Sequence, residues 1–210
     1  MPRAATRYDT AMRERARLLK YGPRDPAWLD GLESEMVEAG LAMASARRET
    51  VARLNAALAE RVGAFPAAQL TLDNDDADET LGERLARARI RDAEAGRTTV
   101  GPHLVDLTVR HTQKRTDARE CSTGEQKALL ISIVLADARE LSRARNGLCP
   151  ILLLDEIAAH LDVTRRAALF EEILELGAQA WMTGTDMEMF APLSAKADLF
   201  EVADSQPRLI

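Results

Sequence analysis

Lysine is scarce in this 210-residue chain: there are four, Lys20, Lys114, Lys127 and Lys196, and none follows a glycine. That excludes, within these residues, the Gly-x-x-x-x-Gly-Lys-Ser/Thr loop that cradles nucleotide phosphates in many folds. Cysteine is scarce as well. Cys121 and Cys149 stand too far apart for a metal-type pair, and a lone disulfide is not expected without secretion. The three histidines, His103, His111 and His160, form neither His-x3-His nor His-Glu-x-x-His, which removes the common zinc patterns. Trp28 and Trp181 lack an adjacent aromatic with which to stack bases, so packing is expected of both. No apolar run approaches the ~20 residues of a bilayer span, and the opening MPRAATRYDTAMRERARLLK has no apolar signal core. No membrane partner is expected, and the cytoplasm is the expected location.

What is present is enough to fold. A hydrophobic content of 46% can supply a core, and the length allows one domain or a domain with an appendage. The net charge of −6 offers no global argument for nucleic acid. Charge is uneven, however: residues 1–24 hold seven Arg or Lys against two acids, while 73–79 hold five acids. Clustered cations suit sequence-independent phosphate contact, with Arg13, Arg17 and Lys20 as candidates, and an exposed amphipathic helix accounts for them nearly as well.

Asp25-Pro26 is a good N-cap followed by proline at the first helical position, and no further proline occurs before Gly63. One long helix is expected, about 55 Å at 1.5 Å per residue, with Leu29, Leu32, Met36, Ala39 and Met43 starting its apolar stripe. Tyr8–Lys20 is expected to be a second helix beside it. A strand at 69–72, an acidic loop and a helix from about Asp78 to Ala95, stopped by Gly96, form a transition. From Val100 strands and helices alternate: strands at 104–109, 151–154, 178–183 and 199–202, helices at 124–145, 163–176 and 187–193. Such alternation implies a layered α/β sheet.

PILLLDEIAAHLD (150–162) runs an apolar strand straight into adjacent carboxylates. Ligands gather at the carboxyl ends of parallel strands, where one acid can hold Mg²⁺ and a following Glu can activate water. CSTGEQKALL (121–130) reads locally as a capping box, either Ser122 with Glu125 or Thr123 with Gln126. The same helix start can bind a terminal phosphate through its N–H groups and dipole, and Gly124 lets the backbone come close.

In that order these motifs resemble the C-terminal half of an ABC-type ATPase head. The wording is that of the RecF family, bacterial DNA replication and repair ATPases related to SMC proteins. GPHLVDL (101–107), CSTGEQKALL as the signature motif, LLLDEIAAHLD as Walker B with the D-loop, and AQAWMTGTD (178–186) as the switch region carry the resemblance, which covers essentially the whole chain. It implies an α/β fold, the C-terminal part of an ABC/SMC-type head with an N-terminal helical arm: residues 1–63 as arm with a transition to about 96, and 97–210 as ATPase part. It implies ATP and Mg²⁺ sandwiched between two protomers. Ser122, Thr123, Gly124, Glu125 and Gln126 face a partner's ATP, Asp155 holds Mg²⁺ through water, Glu156 is the catalytic base, and His160, Leu161 and Asp162 signal across the dimer. In the family the Walker A loop precedes the arm, so the chain is expected to be a fragment or a shortened reading frame. The implied partners are single-stranded and gapped duplex DNA, recombination mediator proteins, and a second copy or full-length relative, in recombinational repair and the SOS response. Two positions depart from the family pattern: Thr183 and Thr185 stand where many ABC ATPases have His, and Leu104 stands where an Arg commonly follows Gly-Pro-His. The alternative is a non-catalytic interaction module that pairs with a relative and cannot bind ATP alone.

Overall fold

The structure, a computed structural model, describes residues 2–22, 25–60, 64–75, 78, 80–156 and 161–210. The chain divides into two compact units, Met1–Arg53 with Leu70–Val109, and Leu54–Gln69 with Arg110–Ile210. The helical unit is built on α1 (Pro2–Tyr21), most of α2 (Pro26–Ala59) and α3 (Leu81–Ala95). The first helix begins six residues before the expected Tyr8, because proline is tolerated in a first turn and no breaker follows until Gly22. Met36, Ala39 and Met43 of the α2 stripe bury against Tyr8, Ala11, Leu81 and Leu85, and Leu29 packs with Leu18 and Leu19. The start of α3 at Leu81, later than expected, follows from Asp78, whose carboxylate accepts the Thr80 N–H at 2.9 Å and the Thr80 hydroxyl at 2.6 Å. This local turn competes with helix for the same backbone donors.

Beneath this packing lies a buried ion network. Arg15, at 0% exposure, donates to Glu33 at 2.8 Å, Asp92 at 2.7 Å, Thr98 at 3.3 Å and the Leu85 carbonyl at 2.8 Å. Arg15 is thus a structural cation and is withdrawn from the basic surface of α1. His103 joins the same region, its Nδ1 2.9 Å from the Tyr8 hydroxyl and its Nε2 3.1 Å from the Thr98 carbonyl. Gly101 makes that approach possible: with φ +126, any Cβ would stand 2.3 Å from the Tyr8 hydroxyl oxygen. Pro102–Leu104 form a 3-10 turn, so the following strand begins at Asp106 and Leu104 is not in it.

Three short strands, β1 (Ala68–Asp73), β2 (Asp106–His111) and β3 (Thr116–Asp117), form a sheet in the order β1-β2-β3. Strands β2 and β3 are antiparallel, with His111 opposite Thr116.

The second unit contains α4 (Thr123–Ala144), β4 (Leu152–Leu154), α5 (Val163–Leu176), β5 (Ala180–Met182) and a hairpin of β6 (Phe200–Ala203) and β7 (Gln206–Leu209). β4 and β5 are parallel, with Leu153 opposite Trp181, and α5 is the crossover that a parallel pair requires. Ala128, Ile131 and Leu135 of α4, Leu152 and Leu154 of β4, and Leu169, Phe170 and Ile173 of α5 form the core. The apolar run at 151–154 is buried on one face only. Leu153 is 77% exposed and Trp181 57%, because side chains alternate along a strand and these two share the face turned from the core. Trp28 is also more than half exposed, so neither tryptophan is the packing residue expected. Residues 187–193 are 3-10 and not α-helical, with Pro192 inside the segment. The hairpin turns through Asp204 and Ser205, both at positive φ; this type I′ geometry carries no Asn-Gly signal, and Pro207 weakens the reading of β7 as a strand. Among the described residues no helix is long and apolar enough to cross a membrane.

Candidate functional site

The start of α4 settles the choice between two capping boxes. Ser122 is the N-cap: its hydroxyl accepts the Glu125 N–H at 3.4 Å, and the Glu125 carboxylate accepts the Ser122 N–H at 3.1 Å. Gln126 reaches back, its side-chain amide donating to the Ala118 carbonyl at 2.9 Å. Gly124 has nothing within 4 Å of where a Cβ would lie, so the core does not require a glycine there. Lys114, from the turn between β2 and β3, forms an ion pair with Glu125 Oε1, the carboxylate oxygen that the capping box does not use. The sequence offers no local sign of this contact, since the partners are eleven residues apart and belong to different elements.

At the carboxyl end of β4, Asp155 and Glu156 are both exposed. Thr183, just past β5, donates its hydroxyl to Asp155 Oδ1 at 2.5 Å and accepts the Glu156 N–H at 2.9 Å. Glu156 holds φ at +50, a left-handed conformation uncommon outside glycine. Leu161 is buried in the core, and Asp162 caps α5 by accepting the Arg165 N–H at 2.8 Å. His160 lies outside the described residues. Asp155, Glu156 and Thr183 therefore form one group, and Ser122, Glu125, Gln126 and Lys114 a second. No hydrogen bond or ion pair among the described residues joins the two.

Of the candidate basic residues, Arg13, Arg17 and Lys20 are all exposed on α1. Their spacing of four and three places them on one helix face. Arg13 pairs with Asp9 at 2.7 Å, and the Lys20 ammonium lies 5.1 Å from the Tyr21 ring centroid.

A family described as "AAA domain, putative AbiEii toxin, Type IV TA system" matches residues 15–185. The chain belongs to this AAA domain family. The chain is similar to the DNA replication and repair protein RecF of Agrobacterium fabrum, 49% identical over 96% of this chain and 56% of that protein. It is also similar to RecF of Rhizobium etli, 48% identical over 97% of this chain and 58% of the relative. A solved structure titled "Structure of the recombination mediator protein RecF-ATP in RecFOR pathway" matches with a TM-score of 0.76 at 19% identity, covering 99% of this chain and 57% of that one. The fold is thus that of an ABC/SMC-type ATPase, and the chain spans a little over half the length of the curated relatives it matches.

The end of β4 presents carboxylate oxygens at Asp155 and Glu156, and among the described residues no group of three or more His, Cys, Asp or Glu is placed to hold a metal. That donor set fits Mg²⁺ in its usual form, carried by one or two carboxylates, water and the phosphates of a nucleotide.

Glu125 allows a test by pH. The Lys114 ammonium first, then the Ser122 N–H and hydroxyl, hold its carboxyl at about 2, down from 4.5. Because the folded-state value lies below that of the unfolded chain, the box and ion pair contribute fully above the ordinary carboxylate range and are lost as pH falls through about 2. NMR titration of the Glu125 carboxyl carbon is expected to show a midpoint near 2, and Lys114→Met to return it toward 4.5.

Proposed function

We propose that this chain is the signature-bearing portion of a RecF-type DNA replication and repair ATPase, contributing half of an ATP site that a second protomer completes. The observation that supports this best is the conjunction, within one unit, of a capped signature helix and an acid pair at the end of a parallel strand. Residues 1–63 serve as the arm, with a transition to about 96, and 97–210 as the ATPase part.

Ser122, Thr123, Gly124, Glu125 and Gln126 present a helix N-terminus to the terminal phosphate of a partner's ATP, where unpaired N–H groups and the dipole favour an anion. The open space at Gly124 lets the phosphate approach the backbone. Asp155 is the acid toward Mg²⁺, through water, and Glu156 is the base that orients and deprotonates the attacking water. Bound Mg²⁺ supplies charge neutralisation at the phosphates. His160 and Asp162 report between protomers. Arg13, Arg17 and Lys20 contact DNA phosphates without reading sequence. Single-stranded and gapped duplex DNA, recombination mediator proteins, the SOS response and a cytoplasmic location complete the reading.

A second reading is favoured by one feature, the lack of a Gly-x-x-x-x-Gly-Lys-Ser/Thr loop in these 210 residues. Without such a cradle the β- and γ-phosphates have no backbone nest and Mg²⁺ no Ser/Thr ligand, so the chain alone acts as a pairing module. One experiment covers both. Titrated with ATP·Mg²⁺ by calorimetry, the chain alone is expected to show no micromolar binding. Mixed with a full-length RecF relative, it is expected to form an ATP-dependent pair. Gly124→Ala is expected to leave its fold intact, even stabilising α4 by about 0.5–1 kcal/mol, while weakening that pair. Unchanged pairing by Gly124→Ala would count against a phosphate at this helix start.

A further inference from the structure

We infer that Thr183 is a positioning residue, whose hydroxyl sets the direction in which Asp155 and Glu156 present themselves to a ligand. The inference rests on the reading of those acids as metal ligand and base. Three hydrogen bonds join the ends of β4 and β5 at this point. The Thr183 N–H donates to the Leu154 carbonyl at 3.2 Å, extending the parallel ladder past its last paired residues. The Thr183 hydroxyl then donates to Asp155 Oδ1 at 2.5 Å and accepts the Glu156 N–H at 2.9 Å. One hydroxyl thus uses its single proton and an oxygen lone pair on two consecutive residues of the neighbouring strand end.

The consequences for the acid pair follow from the geometry. A carboxylate with one oxygen held cannot turn freely about its Cβ–Cγ bond, so Asp155 keeps Oδ1 on Thr183 and offers Oδ2 outward. Glu156 holds φ at +50, a conformation that a non-glycine residue keeps only when its surroundings over-determine it. The bond from its N–H to Thr183 is the observed restraint at that residue. Threonine suits the task because β-branching limits χ1, so the backbone just past β5 aims the hydroxyl. The side chain at 183 is too short to reach far beyond the strand ends, and here it turns back onto the acids.

The test uses the purified 210-residue chain, NMR, and Mn²⁺ as a paramagnetic probe. Thr183→Val removes the hydroxyl and keeps the branched shape; Thr183→Ser keeps the hydroxyl. Loss of one hydrogen bond is expected to speed amide exchange at Glu156 about tenfold in Thr183→Val, relative to the amides of Leu152–Leu154. The same variant is expected to need severalfold more Mn²⁺ to broaden the Asp155 and Glu156 signals, and Thr183→Ser is expected to match the parent in both. Unchanged exchange and broadening in Thr183→Val, or equal losses in Thr183→Ser, would overturn the inference. If the parent shows no selective broadening at the pair, the acids do not hold the metal without a nucleotide, and the tether is then decided by Glu156 exchange alone: tenfold faster exchange upholds it, and unchanged exchange rejects it.

Discussion

Arg15→Ala is expected to destabilise the helical unit by about 3–5 kcal/mol, the cost typical of breaking a buried ion pair from one side. The side chains involved are almost wholly removed from water, with Arg15 at 0%, Asp92 at 1% and Glu33 at 6% exposure. Removing the guanidinium leaves two carboxylates without their buried cation and strips donors from Thr98 and the Leu85 carbonyl. Glu33 keeps Arg89, which donates to it at 2.6 Å, so Asp92 carries most of the loss. Asp92 itself still accepts the Thr99 N–H at 2.9 Å, which limits the damage without neutralising the charge. Urea unfolding followed by circular dichroism measures the effect. A shift below about 1 kcal/mol would place the network in the class of exposed pairs that contribute little. Arg13→Ala on the same helix serves as control, because its pair with Asp9 is largely solvated and its loss is expected to be small.

Glu156→Gln is expected to lower ATP hydrolysis by about 10²–10⁴-fold, the usual contribution of a general base. It applies to a complete ATPase in which this sequence is joined to a phosphate-binding loop. Glutamine keeps the length and the backbone hydrogen bond to Thr183 but cannot take a proton from water. Nucleotide affinity should therefore hold while turnover falls, and the ATP-bound pair should accumulate. Hydrolysis within about tenfold of the parent would remove Glu156 from the role of base. Equal losses of binding and turnover would point to disrupted folding at the strand end.

How much of this was legible in the sequence depends on the distance over which each signal acts. The crossover helix 163–176 is found with the bounds that the sequence implies, because Asp162 and Gly177 mark its ends within a single turn. Ser122 with Glu125 was one of two capping boxes the spacing allowed; both have the same separation of three, and only the folded chain shows which pair of hydrogen bonds forms. The strand 104–109 was displaced to 106–111 because the 3-10 turn after Pro102 consumes Leu104. Of the seven cations before residue 25, composition could not separate Arg15, which is buried, from Arg13, Arg17 and Lys20, which are exposed. All sit in the same polar helix, and what distinguishes Arg15 is Asp92, 77 residues away.

The sequence by itself determined the elements and the order of the motifs: caps, breakers and apolar periodicity act over three or four residues and are written where they operate. It also carried enough of the signature and acid-pair wording to imply an ABC-type head. Only the tertiary structure decided which charges are buried, that Lys114 pairs with Glu125, that one face of β4 and β5 is exposed, and that Thr183 bonds to both Asp155 and Glu156. Each of these depends on residues from separate elements meeting in space, and the energy of such meetings comes from burial and geometry that no local spacing records.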